Sequence, residues 1–565
     1  MTEAYPSAGA ARSRRRLSLA SVDGSRGALV VFVASLACFG LQSLAVSVAL
    51  GRDAEDYLID GWELFQPHPL FPRLMVARTP VAGLLIDAFD WLGGVTAVEV
   101  GLGLLFAVGV LCWVAAARAY GRKAALAMFV LLAVVPAYGL FFHRVSSDPV
   151  FASILGLTAL LTVRLAERPS VGRSAAVGLG VAVLVLTRPS GEPFILLAFL
   201  PLALGGPRRV RVARAAALGS VAVAILAAWA ATNAVRYGEL TVAHGGKSGI
   251  PLYHVFVLEP RVQRSNGPAS ARVAIAVEHR LLGMEPYRSY GFDADEILEA
   301  GNTWALDDVV YAVESEYGAR NGSDTLFRAG LEAVRADPVA YAKGVTLGLA
   351  GLMLLPYTEA AENNGAVAAV GPAIGDAVLG PPGRGRRLPP DAAASGTLWA
   401  RAMVKSWALD DSGRYTVVGG LHQLPDAIWD LERRTLEWSR PSDATRYHLI
   451  RERLRRFVDE TSGGDRRQGI AEGLRAGALL LPSAGFWLLV ALAFGLRFRP
   501  RGIAAPLLLV VSSLFVLVET ALAFPPHPDY ALPLVPAFAL LAIAVLSRSR
   551  RGRGSVDDAA YAHAP

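Results

Sequence analysis

Residues 29–50, LVVFVASLACFGLQSLAVSVAL, form an apolar run of 22 residues without a charged side chain. An α-helix needs about 20 such residues to cross the roughly 30 Å hydrocarbon core of a bilayer. The run is too long for a removable signal peptide, and it has no small-residue cleavage site. This stretch therefore predicts a first membrane-spanning helix.

Further apolar runs extend this prediction along the chain. The similar runs lie at residues 97–117, 124–142, 150–163, 215–235, 476–496, 503–524 and 530–546. Two shorter runs, 175–186 and 194–204, are separated by Pro189-Ser190-Gly191-Glu192-Pro193, and they indicate either a hairpin or one broken span. With the hairpin, the predicted fold class is an all-α polytopic membrane protein with about ten crossings.

The composition agrees with this fold class. Of the 565 residues, 53% are hydrophobic and only 18% are charged, whereas a soluble domain carries about 25% charged residues. A soluble enzyme is therefore excluded. The net charge of +7 comes from basic residues that lie beside apolar runs, so it indicates membrane orientation and no nucleic-acid partner. Cys38 and Cys112 lie inside apolar runs, which excludes a disulfide framework and a cysteine-based zinc site.

Basic clusters set the predicted orientation, because short cytoplasmic loops retain Lys and Arg. With the hairpin, every cluster falls on one side and both termini are cytoplasmic. The predicted divisions are a cytoplasmic tail (1–28), an N-terminal transmembrane module with the catalytic first external loop (29–235), an extracytoplasmic region (236–475), C-terminal transmembrane helices (476–547) and a cytoplasmic tail (548–565).

The external region contains one segment that complicates this topology. Residues 345–355 are apolar but span only half a bilayer, and a single crossing there would reverse the C-terminal orientation. We expect a re-entrant or membrane helix near 340–356, or a second weak crossing near 365–379. Elsewhere in the region, residues 261–338 favour helix and 380–390 favour a loop. Ser442-Asp443 can cap a helix that reaches Glu460, with Leu449, Ile450, Leu454 and Phe457 at helical spacing.

Ionisable residues are almost absent from the centres of the predicted spans and collect at their external ends. They are Asp53, Glu55, Asp56 and Asp60 after the first span, Asp148 before the fourth, Arg188 and Glu192 in the hairpin, and His527, Asp529 and Tyr530 before the last. Two acids brought to one face by different turns can act as a general base and a metal ligand.

Several candidate residues also have a purely structural interpretation. Acids at 53–56 complement the dipole of a following helix, and Tyr57 suits an interfacial aromatic belt. Asp148 suits a helix N-cap before Pro149. Arg188 suits a side chain that reaches towards the lipid headgroups, and Lys247, in a glycine-rich stretch, suits a solvated loop.

Several short motifs occur in a recognisable order. They are Asp53 with Tyr57, Arg78-Thr79-Pro80, Ser147-Asp148-Pro149-Val150-Phe151, Leu186-Thr187-Arg188-Pro189, Trp229 with Asn233, Tyr237 and Gly238, and Asp529-Tyr530-Ala531-Leu532-Pro533. In order and sidedness the chain resembles the polytopic, lipid-sugar-dependent glycosyltransferases with the GT-C fold, in particular the bacterial branch of protein mannosyltransferases and aminoarabinose transferases. The resemblance covers residues 29–255 and 476–546.

The resemblance implies an inverting transfer of a sugar from a polyprenyl-phosphate donor to a glycan, lipid or protein acceptor at the outer face of the cell membrane. Asp53 would be the base, and Asp148 a second acid that binds the acceptor or, with Asp53, a divalent cation (Mg²⁺ or Mn²⁺). The implied substrate-binding residues are Asp56, Tyr57, Arg78, Arg188, Lys247, His527 and Tyr530.

Two positions depart from the family pattern. Ala54 stands where an acid often follows the catalytic aspartate, and Asp529 stands where an arginine usually precedes the tyrosine of the last motif. Two other functions stay open at this point. A transporter or flippase of a lipid-linked or small solute commonly carries inverted repeats and ionisable residues at mid-membrane. A non-catalytic lipid-binding scaffold would retain the lipid groove alone.

Overall fold

The structure is a computed structural model, and it describes residues 25–51, 54–243, 252–257, 260–283, 291–299, 303–354, 427–430, 435–461, 464–498, 503–523 and 530–547. The first half of the chain builds a helical membrane module. Its elements are α1 (Ser25–Ser43), β1 (Ala49–Leu50), α2 (Ala54–Glu63), α3 (Pro72–Ala77), α4 (Pro80–Arg118), α5 (Arg122–Phe129), a π-helical turn (Val130–Val134), α6 (Pro136–Phe141), β2 (Arg144–Val145), α7 (Ser147–Glu167), α8 (Val171–Thr187), a 3₁₀ segment (Pro189–Phe199), α9 (Leu200–Ala203) and α10 (Arg208–Tyr237).

The second half supplies the region predicted to be extracytoplasmic (236–475), called the external region below, and the last membrane helices. Its elements are α11 (Leu252–Val257), a 3₁₀ turn (Arg264–Asn266), α12 (Pro268–Arg280), α13 (Ala294–Glu299), α14 (Thr303–Tyr317), α15 (Ala319–Ala336), α16 (Pro338–Leu354), β3 (Ala427–Asp430), β4 (Thr435–Trp438), α17 (Pro441–Thr461), α18 (Gln468–Ala478), α19 (Ala484–Phe498), α20 (Ala504–Ala523) and α21 (Leu532–Ser547), which opens with a 3₁₀ turn (Leu532–Leu534).

The chain is a mostly helical membrane protein. Within the described ranges, five helices are long and apolar enough to cross a bilayer, namely α1, α4, α7, α10 and α20. Five shorter apolar segments accompany them, at Val171–Thr187, Pro189–Ala203, Pro338–Leu354, Ala484–Gly495 and Leu532–Ser547. The number of crossings stays a prediction.

The helix boundaries correct several predicted spans. The first helix ends at Ser43, so the last seven residues of the apolar run 29–50 lie outside it, and the final two form β1. Proline at position 136 lacks an amide hydrogen and starts α6, so the run 124–142 is interrupted by the π-helical turn. The run 476–496 is divided between α18 and α19.

Helix α4 contains a sharp bend that separates a short N-terminal arm from the rest of the helix. Gly93 and Gly94 have non-helical backbone angles, and Gly94 has φ +65°, which L side chains rarely adopt. The arm before the bend starts at Pro80 and packs against α2. Gly61 and Gly83 allow this approach, since a Cβ on Gly61 would lie 2.5 Å from the Gly83 carbonyl oxygen.

The hairpin predicted between the short apolar runs is present in the structure. Helix α8 ends at Thr187, and the 3₁₀ segment turns back and packs against it. Gly191 lies directly on the backbone of Leu184. Arg188 therefore lies at the tip of the hairpin.

The external region is built as two parts. Helices α11 to α15 surround a separate apolar core that includes Val273, Val277 and Ala329, which agrees with the helix bias of residues 261–338. The second part contains the β3–β4 antiparallel hairpin, which the sequence did not predict, and α17. In α17, Ile450, Leu454 and Phe457 are buried as expected, but Leu449 is 61% exposed, so its assignment to the packing face was wrong.

Helix α16 covers the segment in which a re-entrant or membrane helix was expected. It runs from Pro338 to Leu354 and packs on α19 and α20, and Gly348, Gly351 and Leu352 are buried in it. Residues 365–379 and the predicted loop at 380–390 lie outside the described residues.

Candidate active site

A short parallel strand pairing brings two connections between membrane helices together. Ala49 pairs with Arg144 and Leu50 with Val145, and the Gly51 amide donates to the Val145 carbonyl oxygen at 3.0 Å. Parallel strands need a long crossover, and here α2 to α6 form it. One strand leads towards Asp53 in the sequence and the other towards Asp148. Asp53 itself lies outside the described residues.

Asp148 is positioned by the start of α7. The sequence suggested that Asp148 caps this helix, but Ser146 is the N-cap, and its hydroxyl accepts from the Asp148 amide at 3.3 Å. Asp148 is thus the second helical residue, where its negative charge interacts favourably with the helix dipole. Its carboxylate is one-fifth exposed and is free of the capping role.

The structure brings Asp148, Arg188 and Tyr530 together. Arg188, at the hairpin tip, forms an ion pair with Asp148. The same guanidinium lies over the Tyr530 ring, 5.2 Å from its centroid. A further acid, Glu519, is near enough to interact electrostatically with Arg188 and with Glu192. Three predicted site residues from three distant stretches therefore form one cluster.

A second cluster contains Asp56, Tyr57 and Arg78. The Arg78 Nε donates to Asp56 Oδ2 at 3.1 Å, and Nη2 donates to the same oxygen. The guanidinium also lies 5.3 Å from the centroid of the Tyr57 ring. Asp56 and Tyr57 are buried, so these residues hold α2 to the turn after α3. Their role in substrate binding stays a prediction.

Asp60, one helical turn after Asp56, is completely buried with only 1% exposure. Among the described residues neither of its carboxyl oxygens has a hydrogen-bond partner. Burial raises the pKa of Asp60 well above its usual range, against the opposing charge of Arg78. The sequence placed Asp60 among the external acids but did not indicate its burial.

Two arginines of α17 form ion pairs with the arm of α4 and with α2. Neither was identified from the sequence as a functional residue. Arg453 donates to Asp87 at 3.0 Å and to Asp90 at 2.5 Å, and it lies over the Trp62 ring at 4.3 Å. One signal was available in the sequence, because Arg446 and Arg453 are seven residues apart and share one face of a helix.

Arg446 makes the second of these contacts. Its Nε is 3.3 Å from Glu63 Oε1. Glu63 also accepts the Leu70 amide at 2.6 Å, and its burial raises its pKa. The end of α2 is thus joined to α17 by this ion pair.

The segment after α17 crosses to the end of α1. Arg466 binds Glu99 through two hydrogen bonds, of 3.0 and 2.8 Å, and donates to the Ser43 carbonyl oxygen at 2.6 Å. The Ser47 hydroxyl donates to the Gly464 carbonyl oxygen at 2.6 Å. This segment therefore supports the connection that leads into β1.

The expected metal site is not assembled by the described residues. Within the ranges that the structure describes, no three acidic, histidine or cysteine side chains converge on a point that could hold a metal ion. Asp148 is paired with Arg188. The cation expected on Asp53 and Asp148 stays a prediction, and no step proposed below depends on it. Lys247 and His527 also lie outside the described residues.

No protein-family model matches the sequence, and no curated protein matches it. Among solved structures, the chain is similar to ArnT from Cupriavidus metallidurans with bound undecaprenyl phosphate, at 14% identity and a TM-score of 0.33, with 94% of this chain and 79% of that chain covered. The apo state of the same protein matches at 14% identity and a TM-score of 0.30, covering 93% and 78%.

An oligosaccharyltransferase from Archaeoglobus fulgidus, with a tethered acceptor peptide, also matches, at 12% identity and a TM-score of 0.31. The match covers 90% of this chain but only 56% of that one. At this level of similarity, what the neighbours bind says nothing about what this chain binds. The assignment of function therefore depends on this chain's own residues.

Proposed function

We propose that the protein is a membrane glycosyltransferase that moves a sugar from a polyprenyl phosphate to an acceptor hydroxyl at the outer membrane face. The observation that carries this proposal is the pairing of β1 with β2, because it sets the connections before Asp53 and Asp148 side by side at the ends of membrane helices. Acids gathered at one membrane surface suit a reaction there better than transport through mid-membrane.

The external placement that we propose for these acids sets the type of donor. Nucleotide sugars are cytoplasmic, so an enzyme with outward-facing acids needs a donor that is anchored in the bilayer. In the proposed reaction the acceptor oxygen attacks the anomeric carbon, and the bond from that carbon to the phosphate oxygen breaks. The acceptor proton passes to the Asp53 carboxylate, and the configuration at the anomeric carbon inverts.

Arg188 is the described residue best placed to stabilise the departing phosphate. It lies at the hairpin tip with a planar guanidinium that binds carboxylates and phosphates in the same geometry. In the structure this guanidinium forms an ion pair with Asp148. We propose that the lipid phosphate takes over part of this contact as the donor binds, while stacking on Tyr530 keeps the guanidinium in place.

The proposal is tested with the purified full-length protein in lipid nanodiscs. Native mass spectrometry of the co-purifying lipid identifies the donor, which is then supplied with a panel of acceptors. We expect transferred sugar and free polyprenyl phosphate in equal amounts with the wild-type protein. Asp53→Asn should abolish both, whereas Asp295→Asn, which removes an exposed charge from the external helices, should leave both unchanged.

Other outcomes would redirect the assignment. Transfer retained by a folded Asp53→Asn variant would remove the proposed base. Uptake of an unaltered solute by reconstituted vesicles would instead indicate a transporter. A protein that binds no polyprenyl phosphate at all would contradict the proposed donor and leave the scaffold function.

A further inference from the structure

Asp60 is held in a closely packed environment between α2 and α4. A Cβ on Gly83 would lie 2.8 Å from Asp60 Oδ2 and 2.8 Å from the Tyr57 carbonyl oxygen. Glycine at position 83 therefore leaves just enough room for the carboxyl group. Neither carboxyl oxygen is exposed, and within the described part of the chain neither has a hydrogen-bond donor.

The cations around α2 are committed to other acceptors. Arg78 donates to Asp56, Arg446 is paired with Glu63, and Arg453 with Asp87 and Asp90. Arg236, at the end of α10, donates to two carbonyl oxygens of the turn after α2. Of these four arginines, none makes a hydrogen bond to Asp60.

The remaining polar neighbours that the structure describes around Asp60 are acids and a tyrosine. Asp56 and Glu63 lie on the same helix as Asp60, and Asp87 faces α2 from α4 across Gly61. Tyr237 faces Asp60 from α10, and its buried hydroxyl has no partner among the described residues. An ionised carboxylate here would be buried among acids. Arg78 acts on it electrostatically but donates no hydrogen bond to it, so the ionised form is strongly unfavourable.

We propose that Asp60 is a neutral carboxylic acid in the folded protein and that it is a positioning residue for the site. Because it carries no charge, it does not compete with Asp56 for Arg78. The Asp56–Arg78 contact then holds the first turn of α2, which directly follows Asp53 in the sequence. The positioning role rests on the proposed function, whereas the protonation of Asp60 does not.

The protonated state makes an unusual prediction about stability. A carboxyl group whose pKa is raised by folding binds its proton more tightly in the folded than in the unfolded chain. It therefore destabilises the fold progressively as the pH rises above the unfolded pKa of about 3.9. Asp60→Asn removes this cost and keeps the shape, so the variant should unfold at a higher temperature than the wild type at neutral pH.

The test measures thermal unfolding of the full-length protein in nanodiscs from pH 4 to pH 9. We expect the advantage of Asp60→Asn to grow as the pH rises, while Asp295→Asn shows no such trend. An ion-paired Asp60 would give the opposite result, because its replacement would then lower the unfolding temperature at neutral pH. That result would overturn the proposal.

Infrared spectroscopy tests the protonation in the wild-type protein directly. A neutral carboxylic acid has a C=O stretching band that shifts in deuterated water. An ionised carboxylate lacks this band. The band should be present at neutral pH and absent from Asp60→Asn. Its absence from the wild type would contradict the proposal even if the variant failed to fold.

The positioning role has its own readout in the pH profile of sugar transfer. Wild-type transfer should fall at alkaline pH, as Asp60 loses its proton and competes for Arg78. Asp60→Asn should not show this fall. If no transfer is found with any protein, the proposed function fails, but the unfolding and infrared results still decide the protonation.

Discussion

Gly51 packs directly against Ser146, so that the connections leading to Asp53 and Asp148 run side by side. A Cβ on Gly51 would lie 2.9 Å from the Ser146 Cβ and 2.9 Å from the Val145 carbonyl oxygen. The close approach therefore requires glycine at this position. The contact joins two chain segments that are 95 residues apart in the pairing of Ala49 with Arg144.

Gly51→Val should separate these connections. Overpacking of this kind costs about 1–3 kcal/mol, so we expect a lower unfolding temperature and a marked loss of sugar transfer. Gly40→Val is the matched control, because no atom lies within 4 Å of a Cβ at that position. If both variants unfolded and reacted alike, the pairing would not hold the site together.

Sugar transfer should depend strongly on the planar cation of Arg188. Arg188→Gln removes the contact proposed for the departing phosphate, and losses of about 10²- to 10³-fold in kcat are typical of such groups. Arg188→Lys retains the charge without the planar shape, so its kcat should be intermediate. Arg164→Gln, an exposed arginine at the other end of α7, serves as the control. Wild-type activity of Arg188→Lys would show that the planar shape is unimportant, and equal losses in the two variants would show that a charge without that shape is not sufficient.

Arg453→Gln should loosen the external helix α17. It leaves Asp90, whose side chain is 5% exposed, without its cation, and it removes the stacking on Trp62. Because Arg453 itself is 31% exposed, we expect a modest destabilisation of about 1–2 kcal/mol. Thermal unfolding and limited proteolysis of the external region would measure it.

Arg455→Gln provides the comparison for this variant, since Arg455 lies on the exposed face of the same helix. The Arg453 variant should be cleaved in the external region faster than the Arg455 variant. Identical cleavage patterns would mean that α17 is held mainly by its apolar face.

His143 should make the fold sensitive to acid. The ring is 1% exposed and stacks on Phe39 at 4.1 Å. Its Nδ1 donates to the Gly139 carbonyl oxygen at 3.0 Å, and its Nε2 accepts from the Ser43 hydroxyl at 3.1 Å. Burial lowers the pKa of His143 to about 4, so the folded protein keeps this ring neutral.

The sign of the pH effect follows from proton binding. Between the unfolded pKa of about 6.5 and the folded value, the unfolded chain binds more protons, so stability falls as the pH falls. The total loss by pH 4 is about 3 kcal/mol. Thermal unfolding across this range should show that His143→Gln, which cannot be protonated, is less sensitive to acid. An unchanged slope in the variant would assign the acid sensitivity to other groups.

The helical part of the fold could be predicted from the sequence where the signal is local. Apolar runs located the membrane helices, and the Pro-Ser-Gly-Glu-Pro stretch correctly indicated a hairpin with Arg188 at its tip. Boundaries were less accurate, because hydropathy alone did not indicate that α1 ends at Ser43 or that Pro136 starts a new helix. Leu449 was misplaced because one apolar residue beside a packing face changes the helical pattern very little.

The partners of the charged residues could not be predicted in the same way. Arg453 reaches an acid 363 residues away in the sequence, and a charge on an amphipathic helix usually indicates a solvated face. The burial of Asp60 depends on which face of α2 packs against Gly83 of α4. No pattern of neighbouring residues in the sequence indicates that packing. The structure brought Asp148, Arg188 and Tyr530 together, although Asp53, Lys247 and His527 lie outside its described residues.

The sequence by itself determined that the chain enters a membrane, in what order its apolar helices follow, and at which helix ends its acids occur. Transfer of a helix into lipid is a sum over neighbouring side chains, so a short window of sequence contains it. Only the tertiary structure decided which acid is paired and which is buried alone. Electrostatic interactions depend on distance and burial, which are set by helix packing between residues far apart in the chain.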